Sequence, residues 1–168
     1  MRTIWFAALF LAAGATAATA QSLDGFLGGM LNGCQMSSEF EDFTQSLADE
    51  AAGSGMIRVP PRVKDAIGGA DIQDREDHYL ISVPVTATWK GLPLSGITYF
   101  LGKENGIYGW QVLFAATAEQ VDATFGADEK RSRAILLKND PMGAFSPDSV
   151  KIGKTSDGVP YFLCDLSN

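Results

Sequence analysis

An α+β domain, with helices packed on one face of an antiparallel sheet of five or six strands, follows from three features of this 168-residue chain. Tyr79 to Ala116 alternates apolar and polar side chains over three successive stretches, the period of strands with one buried face. Ahead of it, Leu23 to Cys34 and Phe40 to Leu47 repeat apolar residues at three- and four-residue steps, which is one side of a helix. Two cysteines, Cys34 early and Cys164 late, are placed to join the helical start to the last strand.

Residues 1–20 read as a secretory leader: Arg2, an apolar run from Ile4 to Ala13, and the small residues Ala18-Thr19-Ala20 before a cleavage point at Gln21. The apolar run, about ten residues, is far short of the roughly twenty that a membrane-spanning helix needs. Residues 21–168 then form a single domain delivered to the periplasm or secreted. In such compartments an even cysteine count favours a disulfide, here Cys34–Cys164. On the chain-entropy picture that bridge restricts the unfolded chain by about 4 to 5 kcal/mol. Leu31-Asn32-Gly33-Cys34 has a faint look of a lipoprotein cleavage box, but Asp24 interrupts its approach and the apolar run lies well upstream.

Loss of Arg2 takes the basic residues from 13 to 12 against 20 acidic ones, and the net charge from −7 to −8. Phosphate recognition needs basic clusters. The longest here is Lys130-Arg131-Ser132-Arg133, so nucleic acid is not an expected partner.

Taken in order, Leu23, Phe26, Leu27, Met30, Leu31 and Cys34 form a helical stripe weakened by Gly28, Gly29 and Gly33, each costing roughly 1 kcal/mol relative to alanine. Ser38-Glu39-Phe40-Glu41 is a capping box that opens a second helix to about Ala52, stopped by Gly53-Ser54-Gly55. Ile57 to Ile67 reads as a broken edge strand, followed by a turn and Ala70 to Gln73. In the core, a two-residue Asn105-Gly106 turn sets Leu101 opposite Trp110, Tyr99 opposite Val112 and Ile97 opposite Phe114. A three-residue Lys90-Gly91-Leu92 loop, with a bulge near Gly91, sets Val83 opposite Tyr99 and Ile81 opposite Leu101. Thr117-Ala118-Glu119-Gln120 caps a short helix ending at Gly126. Asp128 to Leu137 fits helix or strand. A final hairpin around Asp157-Gly158 sets Ile152 opposite Leu163, with Phe162, Cys164 and Leu166 on the other side.

Chemistry is sparse. His78 is the one histidine, so a zinc site of two or three histidines is excluded, and no glycine-flanked serine has the form of a nucleophile elbow. Asp71, Asp74, Glu76, Asp77 and His78 form the densest run of oxygen and nitrogen ligands. They lack the Asp-x-Asp-x-Asp-Gly order of a calcium loop, and no metal or other cofactor is expected. No catalytic residue is assigned.

Exposed or semi-exposed apolar groups remain. Phe100 and Leu113 point away from the main apolar set, either under a second layer such as Asp128 to Leu137, which the pattern favours, or exposed as a contact patch. Tyr108 and Trp89 are further candidates in the aromatic-rich core, and Met142 and Phe145 in the loop before the final hairpin. The function expected is that of an exported, non-catalytic binding protein recognising another envelope or secreted protein, as inhibitors, immunity factors and adaptors do. The alternatives are a carrier of a small apolar ligand lined by Phe26, Met30, Tyr99 and Trp110, and a carboxylate-based hydrolase.

Overall fold

The computed structural model describes residues 20–168; apart from Ala20, the expected leader lies outside them. The elements run α1 (Asp24–Leu27), α2 (Ser38–Ala51), β1 (Asp71–Asp74), β2 (His78–Pro84), β3 (Thr88–Trp89), β4 (Leu92–Gly102), β5 (Tyr108–Phe114), α3 (Ala118–Lys138), β6 (Val150–Lys154) and β7 (Pro160–Asp165). The strands make one antiparallel sheet in the order β1-β2-β4-β5-β7-β6, with the short β3 paired to the start of β4. The α+β architecture is therefore the one the sequence predicts.

The first helical segment is short. α1 tightens into a 3-10 turn over Gly28–Leu31, as expected where two glycines follow four helical residues. Its apolar stripe is nonetheless intact, with Leu23, Phe26, Leu27, Met30 and Cys34 all buried. The second helix begins one residue earlier than the expected box. Ser37, not Ser38, is the cap, its hydroxyl accepting from the Phe40 N–H and donating to the Phe26 carbonyl, so one side chain ties α2 to α1. Ile57 to Val59 is not a strand; Pro61–Val63 is a 3-10 turn, and the edge strand is β1.

The three core strands keep the expected faces but not the expected neighbours. Ile97 pairs with Val112, Tyr99 with Trp110 and Leu101 with Tyr108, two residues from the expected register. A type I′ turn needs positive φ at both central residues, and of Asn105 and Gly106 only Gly106 adopts it. The Asn105 side chain instead accepts from the Ile107 N–H and donates to the Asp77 carbonyl, which widens the loop and straps it to the β1–β2 turn.

At the other end the loop is the two-residue Lys90-Gly91 turn, with φ of 47° and 78°, and Trp89 pairs with Leu92. Asp24 accepts from the Lys90 N–H at 2.7 Å, which holds this lysine in the left-handed region. The apolar parity is restored not by a longer loop but by one extra residue, Thr86, on the chain facing β4: Trp89 pairs with Leu92 but Pro84 with Gly96, and the Thr86 N–H leaves the ladder to donate to the Ala66 carbonyl. Ile81 consequently pairs with Tyr99 and Val83 with Ile97.

The third helix runs 21 residues, straight through Gly126 and the whole of Asp128 to Leu137. The expected Thr117 capping box starts it, with both reciprocal hydrogen bonds present. Its inward side continues after Phe125 with polar groups, Asp128, Glu129 and Ser132, before Leu136. Burial pushes the Asp128 carboxyl up, but the Lys90 ammonium and Arg131 guanidinium outweigh it and hold the group below its ordinary value. Glu129 pairs with Arg133. With these charges matched, packing overrides the roughly 1 kcal/mol that a helical glycine costs.

The final hairpin also departs from expectation. Thr155 N–H donates to the Val159 carbonyl and Gly158 N–H to the Thr155 carbonyl, with Gly158 at φ 83°. Ser156, Asp157 and Gly158 thus form a three-residue loop whose last member takes the left-handed position. Ile152 therefore pairs with Phe162 and Val150 with Cys164 on the helix side, while Lys151 pairs with Leu163 on the other.

Two ring clusters fill the space between helices and sheet. Phe26 meets Phe40 edge-on at 5.0 Å, and Phe40 meets Trp110 at 5.7 Å. Trp89 lies 4.6 Å from Phe125 and 5.6 Å from Phe162. The expected disulfide is present, linking Cys34 to Cys164 across 130 residues. Replacing both cysteines by serine is expected to lower unfolding free energy by about 2 to 5 kcal/mol. Urea titration checks this; an unchanged midpoint would mean that the bridge adds nothing to the packing.

Candidate functional site: the bare face of the sheet

Because side chains alternate along a strand, burying Ile81, Val83, Ile97, Tyr99, Trp110, Val112, Phe162 and Cys164 under the helices sends their neighbours to the opposite face. Three rows of side chains cross that face. One runs Gln73, Leu80, Phe100, Gly109, Asp165; the next Asp71, Ser82, Thr98, Gln111, Leu163, Lys151; the third Pro84, Gly96, Leu113, Tyr161, Gly153. Among the described residues no helix lies over these rows. Asp128 to Leu137 does not cover them: Ser132 of that segment bonds to Met30, Gly33 and Cys34 on the helix side. Leu80, Phe100, Leu113, Tyr161 and Leu163 are half-buried and are not part of the core.

The relief of this face comes from its glycines. Gly96 and Gly109, both buried, carry no side chain beside Leu113 and Phe100, and the Tyr161 hydroxyl and ring edge occupy the space a Cβ on Gly153 would need. A hollow of about 350 Å³ lies between Phe100, Gln111, Leu163, Tyr161 and Lys151, rimmed by His78, Ile107, Asp165 and Ser167. A second, of about 220 Å³, lies across Thr98 and Leu113 towards Asp71 and Pro84. The margin is charged: Asp71 and Asp165 are exposed, and Lys151 makes no ion pair among the described residues.

Polar groups at the rim are committed elsewhere. His78 pairs through Nδ1 with the Asp77 carboxylate at 2.7 Å, a bond that holds Asp77 below its ordinary value. The Ser167 hydroxyl accepts from the Tyr108 N–H. Asp74 pairs with Lys103, and among the described residues no three histidine, cysteine, aspartate or glutamate side chains converge to hold a metal. The hollow therefore offers shape, apolar surface and a charged margin.

Of the residues singled out from sequence, Phe100 and Leu113 lie on this face. Trp89 is fully buried between α3 and the sheet, and so packs the core. Tyr108 is on the helix side, its ring against Trp110 and its hydroxyl near the Met36 sulfur; burial and then Glu41 push its phenol above the ordinary range. In the loop after α3, the Asp140 carboxylate accepts from the Phe145 N–H and is held below its ordinary value by that and neighbouring backbone N–H groups. This turns Phe145 back onto the core and leaves Met142 89% exposed. Lys151 was missed because the hairpin register was read one residue off, which sent Ile152 to this face in its place; Gln111, Tyr161 and Leu163 fall on this side by strand alternation but were not singled out.

Comparison with models of known families, with curated proteins and with solved structures returned no match. The face is thus interpreted from its own chemistry.

Phe100→Ser is expected to cost no more than about 1 kcal/mol, while Phe125→Ala costs about 3 to 5. Urea unfolding of the two variants checks this. A core-sized loss at Phe100 would mean that the face is covered in solution.

Proposed function

We propose that this chain is an exported, non-catalytic binding protein that recognises a protein partner through the bare face of its sheet. The observation that carries the reading is the grouping of Phe100, Leu113, Tyr161 and Leu163 outside the core, with no helix over them among the described residues. An apolar and aromatic centre with a charged margin is the make-up of a contact surface. Export rests on the leader-like first twenty residues and suits a domain closed by a disulfide. Among the described residues no helix is long and apolar enough to cross a membrane, and the basic clusters that nucleic acid would require are lacking on this face.

Close packing of the interior favours the contact surface over the reading as a carrier of an apolar ligand. Phe26, Met30, Tyr99 and Trp110 are each at most 1% exposed, and three of the four are in ring contact with Phe40. The space meant for a ligand is occupied by side chains.

A photo-reactive amino acid in place of Phe100, compared with one at the exposed Gln45 on α2, tests the proposal in cells making the full chain. A discrete protein adduct is expected from position 100 and none from position 45. Equal labelling, or no adduct from position 100, would refute it.

A further inference from the structure

The bare face is self-complementary, and we infer that its occupant is a second copy of this chain, docked sheet to sheet about a two-fold axis parallel to the strands between β4 and β5. This inference rests on the reading of that face as the contact surface and names the partner.

The six-stranded order makes the consequence of such an axis easy to follow. It places β4 over β5 of the second copy, β2 over β7, and β1 over β6. Along the three rows, Phe100 then meets Gly109 of the other copy, and Leu113 meets Gly96. Each large side chain faces a glycine, beside the matching large side chain of the other copy, in both directions, since the two-fold repeats every contact. At the margins Asp71, at one end of the middle row, meets Lys151 of the other copy. Asp71 is exposed, with a hydrogen bond from Gln73, and Lys151 has no ion-pair partner among the described residues.

Charge also chooses between the two axes that would stack these faces. A two-fold running across the strands would set Asp71 on Asp71 and Lys151 on Lys151, and like charges facing one another are unfavourable. The axis along the strands pairs opposite charges twice. The least matched contact is Leu80 with Asp165, in the row beside the C-terminal tail, where the carboxylate is exposed.

The size is adequate. Six strands about 4.8 Å apart and five residues of length give roughly 500 Å² of face per copy. Two copies bury about 1,000 Å² before side-chain relief is added, which reaches the lower limit for a specific interface. Sheets packed in this way lie about 10 Å apart with strands within roughly 30° of each other, a gap that Phe100, Leu113 and the long Lys151 side chain can fill.

The test is sedimentation of the mature, oxidised chain and of two surface variants, Asp71→Lys and Lys151→Glu, with near-ultraviolet circular dichroism confirming that each is folded. The wild type is expected to dimerise at micromolar concentration, and each variant alone to associate at least about tenfold more weakly. Mixing the two variants should restore a dimer of one copy of each. The lysine introduced in one copy then faces the glutamate introduced in the other, while the unchanged Lys151 of the first copy still faces the unchanged Asp71 of the second. A wild type that stays monomeric, a dimer indifferent to both substitutions, or a mixture that does not recover would overturn the inference. The photo-crosslink at position 100 separates the two levels: a monomer whose position 100 captures a different protein refutes the second copy and keeps the docking face, whereas no adduct removes both.

Discussion

The Ser132 hydroxyl sits fully buried at the junction of three elements, and the arrangement of the layers depends on it and on the disulfide beside it. It donates to the Met30 carbonyl at 2.6 Å and accepts from the Gly33 and Cys34 N–H groups. Those backbone groups end the N-terminal helical segment, where Gly33 and Cys34 both take positive φ. A helix terminus buried without partners is costly, and one serine from the middle of α3 supplies them. Cys34 is then aimed at Cys164 on β7. Start, middle and end of the chain are joined within one turn of helix.

This junction decides which side of the sheet the helices occupy. Cys164 and Phe162 face the helices, so α1 and α3 lie on that side and α2 follows through the Ser37 bond to Phe26. Lys90 repeats the effect at the other end of the domain, its backbone N–H donating to Asp24 and its ammonium pairing with Asp128. With all three helices committed, the reverse face has nothing left in the described chain to cover it. Its half-exposed aromatic and aliphatic groups follow from topology rather than from loose packing.

Much of this was legible in the residues. Alternation identified the buried set in β2, β4 and β5, the helical stripe identified Leu23 to Cys34, and the disulfide followed from an even cysteine count read together with a leader-like start. Registers were harder to read, since an Asn-Gly pair is a turn signal only if the Asn backbone turns left-handed, and Asn105 uses its side chain elsewhere. An extra residue at Thr86, opposite β4, restored the parity that a longer loop at Lys90 was expected to supply, so the faces came out right while their pairings did not. In α3, Asp128, Glu129 and Ser132 broke the apolar period; Asp128 and Ser132 are buried against partners distant in sequence, Lys90 and the Met30 to Cys34 backbone, and Glu129 against Arg133 one turn on. In the last hairpin a left-handed Gly158 shifted the pairing by one residue, which was enough to put Lys151 rather than Ile152 beside Leu163 on the bare face.

The central claim is that the two faces of one sheet differ in access to water. Relaxation of methyl protons by a soluble gadolinium chelate, measured at a concentration low enough to keep copies apart, reads this directly. Leu113 and Leu163 methyls should be strongly relaxed, while Val83 and Val112, on the other side, should be protected. Equal protection of the four would contradict the account, because it would require a layer over the face that the described chain does not provide.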